Sequence, residues 1–116
     1  MKNLHIITPV KDSIDSTLLT IEALMASKTE ISFRYTIYND FSTPQNTALL
    51  EQYSSKYGFE LVNLCDITDH PSPNYLLVLQ TAQQRAIEEN ASLLIVESDV
   101  IVAPDTIQKL VDGASA

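Results

Sequence analysis

Short apolar runs alternate four times with stretches of helical periodicity along this chain, and that alternation narrows the fold more than any single residue does. Leu4-His5-Ile6-Ile7-Thr8 reads as a strand rich in β-branched residues and stopped by Pro9. Asp12, Ser13 and Asp15 offer helix N-caps, and Ile14, Leu18, Ile21 and Met25 follow on one helical face. Phe33 to Tyr38 is the second strand. In the segment after it, Ser42 or Thr43 suits an N-cap and Pro44 suits the first helical turn, where its missing N–H costs nothing. Leu49, Leu50, Tyr53 and Tyr57 form the next apolar stripe, with Gly58 where a left-handed C-cap belongs. Phe59 to Leu64 is a third strand, and Asp66 to Pro73 a polar loop with two prolines. Asn74 to Asn90 is helical by pattern, with Leu79, Ala82 and Ala86 on one face. Leu93-Leu94-Ile95-Val96 is a continuous apolar run, as expected of a strand covered on both faces. Pro104 opens a last helix with Ile107, Leu110 and Val111 inward and Gly113 at its end.

The order β-α-β-α-β-α-β-α predicts one α/β domain over residues 1–116, a mostly parallel sheet with helices on both faces. In open sheets of this kind ligands bind at the carboxyl ends of the strands. That rule nominates Thr8–Lys11, Asn39–Thr43, Cys65–Asn74 and Glu97–Val102. A length of 116 residues, 45% hydrophobic and 19% charged, fits a single globular domain. The net charge of −8 argues against nucleic acid as a partner and against docking on anionic lipid. A nucleotide is still open, because backbone N–H groups or a metal can meet its phosphates. Cys65 is the only cysteine, which excludes an internal disulfide and points to a reducing compartment. No apolar run approaches a membrane span and no signal peptide is evident, so a cytoplasmic location is expected.

Three segments carry candidate chemistry, each with an ordinary alternative. Glu97-Ser98-Asp99 ends the most hydrophobic strand, and two carboxylates at that spacing can approach one hard cation such as Mg²⁺ or Mn²⁺. The alternative is a solvated acidic loop. Asp40 can accept a hydrogen bond from a base or ribose, or serve as a turn or capping residue. Pro9-Val10-Lys11-Asp12 can line a base and offer Lys11 to a phosphate, or be a plain strand-to-helix turn.

Together these segments resemble the N-terminal half of a family 2 glycosyltransferase with the GT-A fold. Members open with a strand ending in Pro-Val-Tyr-Asn, then carry Asp-Asp-Gly-Ser-Thr, then Asp-x-Asp with a helix-opening proline soon after. Pro9-Val10-Lys11-Asp12, Asn39-Asp40-Phe41-Ser42-Thr43 and Glu97-Ser98-Asp99 with Pro104 stand in those places, in order. The resemblance implies that Pro9 and Val10 border the nucleoside and that Asp40 meets the base. It places Ser98 and Asp99 against the nucleotide, and Asp99 with Glu97 on a divalent metal, Mn or Mg. It implies a UDP- or GDP-sugar donor and, for the full enzyme, a glycan or lipid-linked acceptor at the cytoplasmic face of a membrane. The departures are Lys11 and Asp12 for Tyr and Asn, Asn39 for the first Asp, Phe41 for Gly and Glu97 for Asp. Phe41 takes φ > 0 less cheaply than glycine, so that turn is expected to differ. The family's Gly- and Asn-bearing segment has no counterpart in Gln80–Ala91, where Gln84 and Arg85 are the nearby polar residues.

A complete domain of that family is longer, so a fragment, inactive on its own, is expected, and no general base stands out. A sheet cut short is expected to self-associate through an edge strand or uncovered apolar surface. The competing reading is a non-catalytic α/β interaction module. A receiver-like or flavodoxin-like domain ranks below both, because no acid pair follows the first strand. Among the other residues, His5 is expected to be packed or hydrogen-bonded, His70 solvated and Cys65 a small buried apolar residue. The tyrosines read as core or rim packing, and Glu88-Glu89 as a solvated helix face.

Overall fold

The computed structural model describes residues 3–26 and 33–98, together with positions 107 and 109. The elements in chain order are β1 (Leu4–Val10), α1 (Ile14–Met25), β2 (Phe33–Asn39), α2 (Pro44–Tyr57), β3 (Glu60–Asn63), α3 (Tyr75–Glu88) and β4 (Ser92–Ile95). A single turn of 3-10 helix at Leu64–Asp66 follows β3. The four strands form one parallel sheet in the order β3-β2-β1-β4. The chain thus steps outward through β2 and β3, then crosses back to the far side of β1. Crossovers of one hand must then put α3 on the opposite face from α1 and α2.

The packing bears this out. On one face Ile6, Val10, Ile37 and Val96 meet Ile21, Leu24 and Leu50 of α1 and α2, and Ile107 joins them. On the other, Ile7 and Tyr38 meet Val78 and Ala82 of α3. Alternate residues of β1 therefore feed opposite cores, which is why the run Leu4–Val10 is mostly apolar, with His5 and Thr8 its polar members, and lies buried at every position but Pro9.

Local signals explain the element ends. Pro44 occupies the first turn of α2, and the Thr43 hydroxyl accepts a hydrogen bond from the Asn46 N–H. Gly58 ends that helix at φ 79°, its N–H returning to the Ser54 carbonyl. Ser13 holds the N-cap position of α1 without a side-chain cap bond.

Several expectations are corrected. The buried stripe of α1 is Thr17, Thr20, Ile21 and Leu24, with Ile14, Leu18 and Met25 only half-buried at its margins. On α3 the buried residue is Val78 and not Leu79, one position earlier, beside Ala82 and Ala86. Leu93, Leu94 and Ile95 are half-buried, because β4 has one strand neighbour, β1, among the described residues. Cys65 is exposed. The third strand stops at Asn63, and the turn that follows gives the buried position to Leu64 and swings Cys65 outward. Of the last expected helix, Ile107 and Lys109 are helical, while Pro104, Leu110, Val111 and Gly113 lie outside the described residues.

Candidate functional site at the carboxyl ends of the strands

Because the strand order reverses at β1, the carboxyl ends of β1 and β4 form the topological switch point, where sheets of this kind bind ligands. Three of the nominated segments meet along this side of the sheet through explicit hydrogen bonds. Asp40 N–H donates to the Val10 carbonyl at 2.7 Å, joining the ends of β2 and β1. The Lys11 ammonium donates to the Phe41 carbonyl. Asp12 N–H donates to Ser42 Oγ at 2.7 Å, and Asp12 Oδ1 accepts from Thr43 N–H at 2.8 Å and Asn46 Nδ2 at 3.0 Å. Those bonds to Thr43 and Asn46, with Lys11 adjacent, hold the half-buried Asp12 carboxyl below the ordinary carboxylate range.

The backbone of this side is strained. Asp12, Ser13 and Phe41 all sit in the left-handed region, at φ 56°, 50° and 61°. The turn after β2 thus keeps a conformation that glycine adopts easily, although Phe41 was expected to alter it. Its ring is half-buried against the core on the α3 face, and that packing offsets the backbone cost. Asn39, buried, ties the same turn down. It donates to Thr47 Oγ1 and Asn63 Oδ1, both at 2.9 Å, and accepts from Ser42 N–H.

Asp40 is buried, and its carboxylate is turned toward the loop before α3. Oδ2 accepts from Ser72 Oγ at 2.9 Å and from Asn74 N–H at 2.8 Å, while Oδ1 accepts from Asn74 Nδ2 at 2.8 Å. A carboxylate has about four acceptor sites, so one is left on Oδ1. Sequence reasoning missed Ser72 and Asn74. Asn74 was readable only as a helix opener, and nothing in its spacing announces Asp40 as a partner.

Pro9 is half-buried near the carboxyl end of β1, and Val10 beside it is fully buried in the core. Ser98 is half-buried, its carbonyl accepting from Thr20 Oγ1 at 3.0 Å, which ties the end of the β4 segment to α1. Glu97 is exposed, with no partner among the described residues. Asp99 lies outside the described residues. No group of three metal-ligating side chains occurs among the described residues.

Besides the Lys11–Asp12 pair, the ion pairs among the described residues lie toward the opposite, amino end of the sheet. Arg34 contacts both carboxylate oxygens of Glu89, at 2.9 and 3.0 Å, and His5 Nε2 lies 3.5 Å from Glu89. Glu89 is therefore an ion-pair partner and not merely a solvated helix residue. Arg85 pairs with Glu60 at 2.7 Å. Burial pushes the Glu60 carboxyl up, but the bonds from Arg85 and Thr36 outweigh it and the net shift is downward. A cavity of about 560 Å³ opens here beside Phe33, Tyr35 and Phe59. Its arginines are already neutralised by Glu60 and Glu89, and it is remote from the strand ends where ligands of such sheets bind. His70, although exposed, places Nδ1 3.1 Å from Asn74 Oδ1.

A parallel sheet in this order, helices on both faces and loops gathered at the carboxyl ends make an α/β domain with the GT-A fold. Among solved structures it is similar to S. aureus TarS, a GT-A-type glycosyltransferase. TarS 1-349 superposes with a TM-score of 0.59 at 20% identity, over 99% of this chain and 32% of that one. TarS 1-349 in complex with UDP-GlcNAc gives a TM-score of 0.58 at 20% identity, over 99% of this chain and 30% of that one. The complex with UDP gives 0.60 at 20% identity, over 99% and 31%. The chain spans about a third of the length of these 1-349 structures. No protein-family model matches the chain, and no curated protein matches it.

Proposed function

We propose that this chain is the donor-binding part of a family 2 glycosyltransferase, taking a nucleotide-sugar and a divalent metal at the carboxyl ends of its strands. The observation that carries the reading is the meeting of Val10, Asp40 and the loop before α3 in one hydrogen-bonded cluster at the carboxyl ends of the strands. The UDP and UDP-GlcNAc complexes of TarS, which shares the fold, support a uridine-type donor, with a GDP-sugar as the other option. Pro9, Val10, Asp40, Ser98 and Asp99 border the nucleotide in this reading. The parent enzyme transfers the sugar to an acceptor hydroxyl on a glycan or lipid-linked acceptor, in the cytoplasm or at the cytoplasmic face of a membrane.

Glu97 and Asp99 would hold the metal, Mn²⁺ or Mg²⁺. The donor set fits, since such an ion takes one or two carboxylates and leaves its other positions to water and phosphate. Glu97 has the required free, exposed carboxylate. When bound, the ion supplies Lewis-acid stabilisation of the charge on the departing diphosphate. The chain's own contribution is positional. Asp12, Asn39 and Ser42 lock the turns after β1 and β2 against each other, so a nucleoside meets a preformed wall. No side chain is assigned as general base, so the chain alone is expected to bind donor without transferring it.

The second reading is a non-catalytic module, and one observation favours it: the Asp40 carboxylate is largely consumed by its own fold. Calorimetric titration with UDP, GDP and their sugar conjugates, with and without Mn²⁺, separates the two. Binding that needs both Mn²⁺ and Asp99, lost in Asp99→Ala, supports the donor site. A folded protein that binds none of them supports the module. Self-association belongs to the same proposal, and light scattering at rising concentration tests it; a constant monomer mass defeats it.

A further inference from the structure

The loop before α3 contains a hydrogen-bond chain whose far end points at a ligand class. Asn74 is buried, and both N–H groups of its side-chain amide are spent, one on Asp40 Oδ1 at 2.8 Å and one on the His70 carbonyl at 2.9 Å. A flipped amide would set its oxygen against the Asp40 carboxylate, so the orientation is fixed by the network. The amide oxygen is then left facing His70 Nδ1 at 3.1 Å. An amide oxygen can only accept, so Nδ1 carries the proton. A neutral ring protonated at Nδ1 offers Nε2 as a lone-pair acceptor. That nitrogen has no partner among the described residues, on an exposed residue two positions before the Ser72 that bonds Asp40.

We propose that Asp40 is a positioning residue that acts through Asn74, setting His70 to present Nε2 as an acceptor for a ring N–H of the nucleobase. This rests on the donor-site reading given above. It narrows the base by chemistry: uracil carries N3–H and guanine N1–H, whereas cytosine and adenine have a lone pair at the matching position. Two acceptors facing each other leave both without a hydrogen-bond partner and repel, which costs about tenfold in affinity.

The test has two independent readouts on the whole chain. Long-range ¹H–¹⁵N spectra at about pH 8, where an unperturbed histidine is neutral, read the ring tautomer directly. Nδ1–H is expected in the parent, and loss of that preference in Asn74→Ala and Asp40→Asn. Titrations with UDP and CDP in Mn²⁺ then compare the bases. The parent is expected to favour UDP by about tenfold or more, and His70→Ala to reduce the ratio to within about threefold. His70 is exposed, so its variant keeps the test intact if a buried substitution prevents folding. An Nε2–H ring in the parent overturns the relay. A UDP preference that survives His70→Ala overturns the base recognition. A parent that binds no nucleotide overturns the donor-site reading and the base recognition with it, while the spectrum still decides the tautomer.

Discussion

Asp12 shows how a single charge holds two loops together. Its carboxylate accepts from Thr43 N–H and Asn46 Nδ2 at the start of α2, where a negative charge also meets the positive end of the helix. Its folded pKa is depressed, so its contribution is present above the ordinary carboxylate value of 3.8 and fades as pH falls toward the lower folded value. Asp12→Asn keeps the shape, the acceptor oxygen and the tolerance of φ 56° but removes the charge. We expect the variant to melt below the parent at neutral pH and the gap to close below pH 3.8. Thermal melts across pH check this, and a gap independent of pH would assign the effect to geometry alone. Tyr35 is the inverse case. Its hydroxyl donates to Thr8 Oγ1 at 2.7 Å inside the core, and burial pushes its phenol well above the ordinary value of 10.0. The favourable difference is therefore complete below pH 10.0 and shrinks as pH rises beyond it. Tyr35→Phe leaves the Thr8 hydroxyl buried without that partner, at a cost of about 1–3 kcal/mol at neutral pH. Denaturant titration measures the loss, which should narrow in alkali; an unchanged midpoint at neutral pH would defeat the argument.

At the scale of elements, α2 is the most fully specified. Thr43, Pro44 and Gly58 each do the local job their residue type does best, and the helix starts and stops where they stand. Gly58→Ala isolates the backbone part, since a methyl there meets nothing within 4 Å while φ 79° remains. The expected loss is about 1 kcal/mol by equilibrium denaturation, and a loss several times larger would reveal a collision that this geometry lacks. Elements with such punctuation were legible from the chain, and so was their alternation, hence the sheet and its two covered faces. Legibility failed where a tertiary contact chose between neighbours of like chemistry. Val78 and Leu79 are both apolar, and only the position of β1 and Tyr38 decides which faces inward. Cys65 and Leu64 differ by one step of a 3-10 turn that no local signal announces. At the site, the segments at the strand ends were legible because topology dictates them. The bond from Asp40 to Asn74 spans 34 residues and joins polar types that also read as ordinary loop residues.

For the molecule as a whole, the cations among the described residues sit mostly toward the amino end, among acids that offset them, and the carboxyl end is acidic. Arg34 near the start of β2, Lys56 in the last turn of α2 and Arg85 in the last turn of α3 lie toward the amino end, where Glu60 and Glu89 pair the arginines. The carboxyl end has Asp12, Asp40, Asp66, Asp69 and Glu97 among the described residues, with Lys11 as the cation of its first loop. The chain carries −8 in total, so a nucleoside diphosphate approaches like charge both at long range and locally. Lys11 offers little relief, because its ammonium lies 3.9 Å from the Asp12 carboxylate, which offsets its charge. A divalent ion at Glu97 would offset the negative charge there and give the diphosphate a cation to meet. We therefore expect Mn²⁺ to raise UDP affinity by about tenfold or more, about 1.4 kcal/mol, over the same buffer with chelator. Potassium at matched ionic strength should give much less, since it only screens, and screening weakens repulsion without creating attraction. Glu97→Gln should remove most of the Mn²⁺ gain and, with one repelling charge gone, leave the affinity in chelator equal to or above the parent's. Equal affinity in chelator and in Mn²⁺ would mean that this acidic end meets the diphosphate by other groups, and the metal would drop out of the site while the fold and the hydrogen-bonded loops stand.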